Sequence, residues 1–125
     1  MKAKKIERVV VVGASNKPDR YAYKALRLLQ EYGHEVIPIN PVLDSIEGVP
    51  VVKDLSQVTG AVDTVTMYVG AKTSADMADK LIALKPKRVI FNPGAENPEL
   101  AATLGAAGIE PQETCTLVIL RTGEF

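Results

Sequence analysis

Apolar residues along this chain gather in short unbroken runs, separated by polar stretches in which apolar positions recur at helical spacing. The strongest run is Val9-Val10-Val11-Val12, and it stops at once in Gly13-Ala14-Ser15. Four valines without polar alternation suit a strand buried on both faces of a parallel sheet. The first strand is therefore expected at about Arg8 to Val12, after a solvated lead-in at residues 1–5. Asn16 to Arg20 is polar, with Pro18 and Asp19 suited to a turn or a helix start. From about Arg20, the residues Ala22, Ala25, Leu26 and Leu29 fall on one helical face until Gly33 supplies a stop. Tyr21 and Tyr23 lie early in that helix, one turned to the core and the other to the turn edge or to solvent.

Glu35-Val36-Ile37-Pro38-Ile39 reads as the second strand, although Pro38 has no N–H for a central ladder, and Asn40-Pro41 closes it. Residues 48–52 suggest a short edge strand, and Asp54 to Val58 a single helical turn. Residues 63–69, rich in Val, Thr and Tyr, form a third strong strand. Thr73-Ser74-Ala75-Asp76 resembles a capping box with Asp in place of Glu. The helix it opens would carry Ala78, Leu81 and Ile82 inward and end near Lys85-Pro86. A strand at Arg88 to Phe91 follows. Asn97-Pro98-Glu99 is a helix start with an N-cap, a proline at the first position and an acidic first turn. Leu100, Leu104 and Ala107 share a face there, and Gly108 ends it. Ile109 begins a last short strand. The apolar stretch from Cys115 to Leu120 fits a short helix or a strand equally well.

Strands alternating with helices of about ten residues predict an α/β fold, Rossmann-like and doubly wound, with helices on both faces. The sheet should be mostly parallel, with about five or six strands. Right-handed crossovers place every strand-to-helix turn on one edge. The 125 residues make one domain, long enough to bury roughly two-thirds of the unfolded chain's surface. Composition then removes several functions. Fifteen Lys plus Arg balance fifteen Asp plus Glu, so nothing favours nucleic acid or an acidic membrane. One cysteine rules out an intrachain disulfide framework and a multi-cysteine metal cluster. The basic start is followed by no apolar segment long enough for a signal peptide or a membrane span. A cytoplasmic protein is the expectation.

The turns Gly13 to Lys17, Asn40-Pro41 and residues 68–71 should converge at the carboxyl edge, with Asn92-Pro93-Gly94 farther along. A strand, a small-residue turn and a helix N-terminus together favour an anion, because free N–H groups and the helix dipole point at the turn. The first turn has one glycine rather than the three of the dinucleotide fingerprint, and no Gly-Lys-Ser/Thr of a phosphate loop follows. An NAD site usually has Asp or Glu at the end of the second strand, whereas Asn40 stands here. That weakens NAD and suits a ligand whose ribose carries a phosphate. Lys17 and Arg20 read equally as phosphate contacts or as ordinary surface charge.

Three segments carry a family resemblance: Val11-Val12-Gly13-Ala14-Ser15 with Pro18 and Arg20, then Tyr32 to Pro41, then Ile46 to Val51. In these the chain resembles the small stand-alone CoA-binding proteins, which look like the N-terminal CoA-binding domain of the succinyl-CoA synthetase α subunit. The resemblance covers essentially the whole chain. It implies CoA or an acyl-CoA as ligand, with Gly13, Ala14, Ser15 and Lys17 at the pyrophosphate. Asn40 and Pro41 would border the adenosine, Tyr68 and Val69 would line the wall beside it, and Asn92, Pro93 and Gly94 would lie toward the pantetheine arm. Arg20 and Tyr21, at the helix start, complete the candidate set. The family often has Lys after Asn-Pro, where Val42 stands here, and Arg-Cys near the end, where Thr114-Cys115 stands. The synthetase carries its phosphorylated histidine in a second domain, and the only histidine here, His34, reads as a surface residue remote from the ligand edge.

The expected function is therefore CoA or acyl-CoA binding without catalysis of its own. The alternative is a nucleotide-dependent oxidoreductase or an accessory subunit of an acyl-CoA enzyme. Cys115 reads as a partly buried small hydrophobe, or as a thiol able to form a mixed disulfide with CoA. Glu96 reads as a general base or as a carboxylate favoured by the following helix dipole. No catalytic set and no metal cluster stand out. The apolar tail leaves a homodimer or a partner enzyme subunit open. A side chain at Gly13 is expected to fill the pyrophosphate space and to leave the fold intact.

Overall fold

The structure is a computed structural model that describes residues 5–125; the lead-in at residues 1–4 lies outside the described residues. In chain order the elements are β1 (Arg8–Val12), α1 (Tyr21–Glu31), β2 (Glu35–Ile39), β3 (Ser45–Ile46) and β4 (Val49–Pro50). A 3₁₀ turn (Leu55–Gln57), β5 (Thr64–Met67), α2 (Ala71–Ser74), α3 (Ala78–Leu84) and β6 (Arg88–Phe91) follow. α4 (Pro98–Ala106), β7 (Glu110–Glu113) and α5 (Thr116–Arg121) complete the chain. The Cys115 to Leu120 stretch is thus a helix.

The four valines alternate between two cores. Val10 and Val12 pack with Leu81, Phe91, Leu100 and Leu104, under α3 and α4. Val9 and Val11 pack with Ala22, Leu26, Leu29 and Leu120, under α1 and α5. Both faces are dry, which explains the missing polar alternation.

Five strands pair in parallel in the order β2-β1-β5-β6-β7. The edge strand expected at residues 48–52 is mostly a hairpin instead. β3 pairs antiparallel with β4, and only Val52 reaches β2, through one parallel bridge to Ile39. With that remnant counted as a strand, the order is that of the dinucleotide-binding fold, and it reverses between β1 and β5. The outermost long strands each carry a proline. The carbonyl of Pro38 faces Val52, away from β1, so its missing N–H costs β2 no bond to β1. In β7 the amide of Glu110 reaches the carbonyl of Lys87, just before β6, so Pro111 next to it faces outward. Prolines so placed leave the ladder whole and blunt the edge.

Two expectations need correcting. Thr73-Ser74-Ala75-Asp76 opens no capping box. Ser74 is buried, its hydroxyl accepts from Asn97 Nδ2 at 2.9 Å, and α3 starts only at Ala78, without a side-chain cap. Thr73, the residue that would cap the helix, lies inside α2, and Met77 is the N-cap of α3 instead. Nor is His34 on the surface, since only 6% of it is exposed. Its Nδ1 accepts from the Glu7 amide at 3.0 Å, its Nε2 has no partner, and its ring lies 5.0 Å from that of Phe125. The Arg88 guanidinium sits 4.4 Å from the same Phe125 ring and donates to the Phe125 carbonyl at 2.8 Å. His34 does stand at the amino edge of the sheet, remote from the turns at the carboxyl ends.

Burial holds the His34 imidazole below its ordinary value of 6.5, with Glu7 and Asp63 opposing that shift and Arg88 adding to it. The fold therefore prefers neutral His34, and the unfolded chain takes up its proton first. Stability from this residue is full above about pH 6.5 and is lost as pH falls through the lower folded value. The melting temperature is expected to drop as pH falls below about 6.5, and His34→Gln should flatten that part of the profile. An identical slope in the variant would assign the acid sensitivity to other groups.

Candidate functional site

The strand order reverses between β1 and β5, and in open α/β sheets the ligand crevice lies at the carboxyl ends of the strands at such a point. Its floor is the turn after β1. Gly13 has φ +83°, and a Cβ there would come within 2.8 Å of Val69 Cγ1 and 2.9 Å of the Tyr68 carbonyl oxygen. The glycine is required by the approach of β5 as well as by the turn itself. This corrects the expectation that a side chain at position 13 would only displace a ligand, since it would strike the fold first.

Ala14 is buried, and its amide donates to the Ile39 carbonyl at 3.1 Å. Ser15 is half-buried, and its Oγ accepts from the Lys17 amide at 3.1 Å, which curls the turn back on itself. The Lys17 carbonyl then accepts from the Arg20 amide at 3.0 Å, and α1 begins. Its N-cap is Arg20, with no side-chain cap and no acidic residue in the first turn. The first-turn amides thus keep their donors, and the basic side chains of Lys17 and Arg20 are both exposed around them. Uncapped amides beside Lys17 and Arg20, set against the single carboxylate of Asp19, leave a local positive excess in a chain of zero net charge. Tyr21 is 67% exposed next to this opening, with the Lys24 ammonium 5.3 Å from its ring. Tyr23 packs toward the core and donates to Glu47, so the two tyrosines divide as expected.

The neighbouring turns are held by asparagines. Asn40 Nδ2 donates to the Ala14 carbonyl at 2.9 Å, and Oδ1 accepts from the amides of Val42 and Leu43. This side chain ties the second turn to the first and offers no carboxylate to a ribose. Asn92 is 2% exposed. Its Nδ2 donates to Thr66 Oγ1 and to the Met67 carbonyl, while its Oδ1 accepts from the Thr116 amide at 2.9 Å. Asn92 therefore anchors the start of α5, and Pro93 and Gly94 are the exposed part of its turn. Glu96 Oε1 accepts from the Gly94 amide at 2.9 Å and braces the same turn.

Tyr68 and Val69 are half-buried at the end of β5. The Tyr68 hydroxyl is fully buried and makes no hydrogen bond of normal geometry, although the paired hydroxyls of Thr66 and Thr116 lie nearby. Burial pushes it up to about 12, so it stays a neutral phenol. Cys115, half-buried, is the N-cap residue of α5. Among the described residues no group of His, Cys, Asp and Glu could hold a metal ion, and no helix is long and apolar enough to cross a membrane.

Residues 7–121 match a family described as a CoA binding domain. The chain belongs to that family. Among curated proteins, this CoA-binding domain is 32% identical over 76 residues to the uncharacterised protein YneT of Bacillus subtilis, which covers 61% of this chain and 56% of YneT. It is 34% identical over 65 residues to the alpha subunit of the ADP-forming acetate–CoA ligase II of Pyrococcus furiosus, covering 51% of this chain and 14% of the subunit. The aligned region thus spans about half the length of the first relative and a small part of the second. A crystal structure of an uncharacterised protein superimposes with a TM-score of 0.92 at 40% identity, over 97% of this chain and 99% of that one. A dinucleotide-forming acetyl-coenzyme A synthetase from Ca. Korarchaeum cryptofilum superimposes with a TM-score of 0.74 at 25% identity, over 86% of this chain and 25% of that one.

Sequence reasoning missed the braces behind the site. Thr66, Thr116 and Lys53 are unremarkable along the chain, and each gains its partner across a long sequence gap or a loop. One consequence is measurable. Gly13→Ala is expected to destabilise the fold by about 2–4 kcal/mol, because it combines strain at positive φ with a backbone clash. Urea unfolding reads this, and a midpoint like that of the unaltered protein would mean that the turn has room to shift.

Proposed function

We propose that this chain is a binding module for CoA or an acyl-CoA. The pyrophosphate lies at the turn Gly13 to Lys17 and the first turn of α1, and the adenosine lies beside Asn40 and Pro41. Tyr68 and Val69 back the site, and the pantetheine arm runs along Asn92, Pro93 and Gly94. One observation carries the reading. In a chain of the CoA-binding family, the helix start at the sheet's reversal is uncapped, has no acidic residue in its first turn, and is flanked by Lys17 and Arg20, with exposed Asp19 the acidic neighbour between them. A diphosphate there would take hydrogen bonds from amides that have no other acceptor and would meet the positive end of α1.

Within this reading the chain's own residues bind and orient the ligand and carry out no reaction. The titratable side chains around the crevice include Lys17, Asp19, Arg20, Tyr21, Tyr68, Glu96 and Cys115. Tyr68 is locked as a neutral phenol, Glu96 is engaged by Gly94, and the histidine lies at the opposite edge. No base stands beside a nucleophile, which argues for a ligand carrier or a subunit whose partner supplies the chemistry. The likeness to the alpha subunit of a CoA ligase supports such a partner. The oxidoreductase alternative lacks support, because the Asn40 amide is spent on Ala14 and its own loop where an NAD site needs a carboxylate.

Calorimetric titration with CoA, NAD and NADP tests the assignment. CoA should bind more tightly than NAD by at least about tenfold, equivalent to about 1.4 kcal/mol. Binding of NAD without binding of CoA would overturn it. Lys17→Ala should weaken CoA by about 1–2 kcal/mol and reduce the salt dependence of binding. Unchanged affinity and an unchanged salt slope would make Lys17 plain surface charge.

A further inference from the structure

The loop that follows β2 is held from both sides. On one side, Asn40 Oδ1 accepts from the amides of Val42 at 2.8 Å and Leu43 at 2.9 Å. On the other, Lys53 Nζ donates to the carbonyls of Val42 at 2.8 Å and Leu43 at 2.6 Å, and to Asp44 Oδ1 at 3.0 Å. An ammonium has three protons, so every donor of Lys53 is spent on this loop and none remains for a ligand. The N–H and C=O groups of two successive residues are thereby fixed at once.

Burial does not explain this effort. Leu43 does pack onto the core beneath α1, but Val42 is 78% exposed, the most exposed large apolar residue among those described. A stray apolar residue on a surface needs no explanation, whereas one in a loop fixed by five hydrogen bonds, two of them to its own backbone, does. An exposed ion pair such as Lys53–Asp44 adds little stability on its own, so what the loop gains is shape. The same loop is tied to the phosphate-facing turn through Asn40 and the Ala14 carbonyl, 2.9 Å apart. Val42 therefore stands at a set position beside the crevice. A β-branched side chain has few rotamers, so it presents a stiff apolar surface there.

We propose that Lys53 is a positioning residue that holds Val42 out as an apolar wall, against which the purine base of a nucleotide ligand packs. This rests on the CoA-binding reading and names a residue outside the candidate site that sets its shape. The chemistry recognised is a planar base attached to a 5′-diphosphate, and the pantetheine end of CoA has no part in it.

The experiment compares the unaltered protein with Lys53→Met, Val42→Ala and the double variant, using CoA, adenosine 5′-diphosphate and 4′-phosphopantetheine as probes. Each single change should weaken CoA and adenosine diphosphate by about three- to tenfold, and phosphopantetheine by less than about twofold. The double variant should be no weaker than either single one, because both remove the same wall. Amide exchange at Val42 and Leu43 should quicken in Lys53→Met without any ligand present. A loss shared equally by phosphopantetheine, additive losses, or unchanged exchange would each overturn the proposal. If the unaltered protein binds neither CoA nor adenosine diphosphate, the functional reading falls and the wall falls with it. If it binds both and Lys53→Met binds them equally well, only the role of Lys53 falls.

Discussion

Backbone meets backbone where the turn after β1 crosses the end of β5. At Gly13 there is no space for a methyl group between the turn and residues Tyr68 and Val69, and the Tyr68 amide donates to the Val12 carbonyl just behind it. The rest of the carboxyl edge is built from this contact. It lets α1, with its uncapped first turn, start close to the point where the strand order reverses. It also sets Ala14 at the height where β2 and Asn40 can reach it. Three strands are thus tied together at the end where a ligand would approach.

Asparagines do the remaining bracing. Asn40 joins the first two turns, Asn92 joins β5 and β6 to the start of α5, and Asn97 joins α2 to the cap of α4. Each amide carries both donors and acceptors on one short side chain, so one residue can serve two elements at once. Their side chains are consumed in this work. What remains open at the edge is the backbone and exposed side chains of residues 15–21, Lys17 and Arg20 among them, with the small or apolar surface of Pro41 with Val42 and Pro93 with Gly94. A site of that kind is rigid before its ligand arrives, so less ordering is lost on binding.

Much of this was legible in the residues. The unbroken valines announced a strand buried on both faces, and Asn97-Pro98-Glu99 announced α4, because both signals are local. The parallel order and the converging turns followed from the alternation of elements. What was not legible depended on partners distant in sequence. Thr73 to Asp76 looked like a capping box until α2 took up Thr73 and Asn97 bonded the Ser74 hydroxyl. His34 looked like a surface residue because Gly33 suggested a loop, and nothing local revealed that the Glu7 amide and the Phe125 ring would enclose it. Gly13 looked like a concession to a ligand, and the structure adds that β5 demands it. Lys53 carried no signal, since its three acceptors are supplied by a loop nine to eleven residues earlier.

The central claim is that a diphosphate sits on the first turn of α1 at the carboxyl edge. Nitrogen–proton correlation spectra of the labelled protein, recorded with and without CoA, test it residue by residue. The amides of Ser15, Asn16, Tyr21 and Ala22 should shift most, with smaller changes at Val42 and Gly94 and none around Glu7, Arg88 and Phe125. Shifts concentrated at that opposite edge, or none at all at millimolar CoA, would contradict the account.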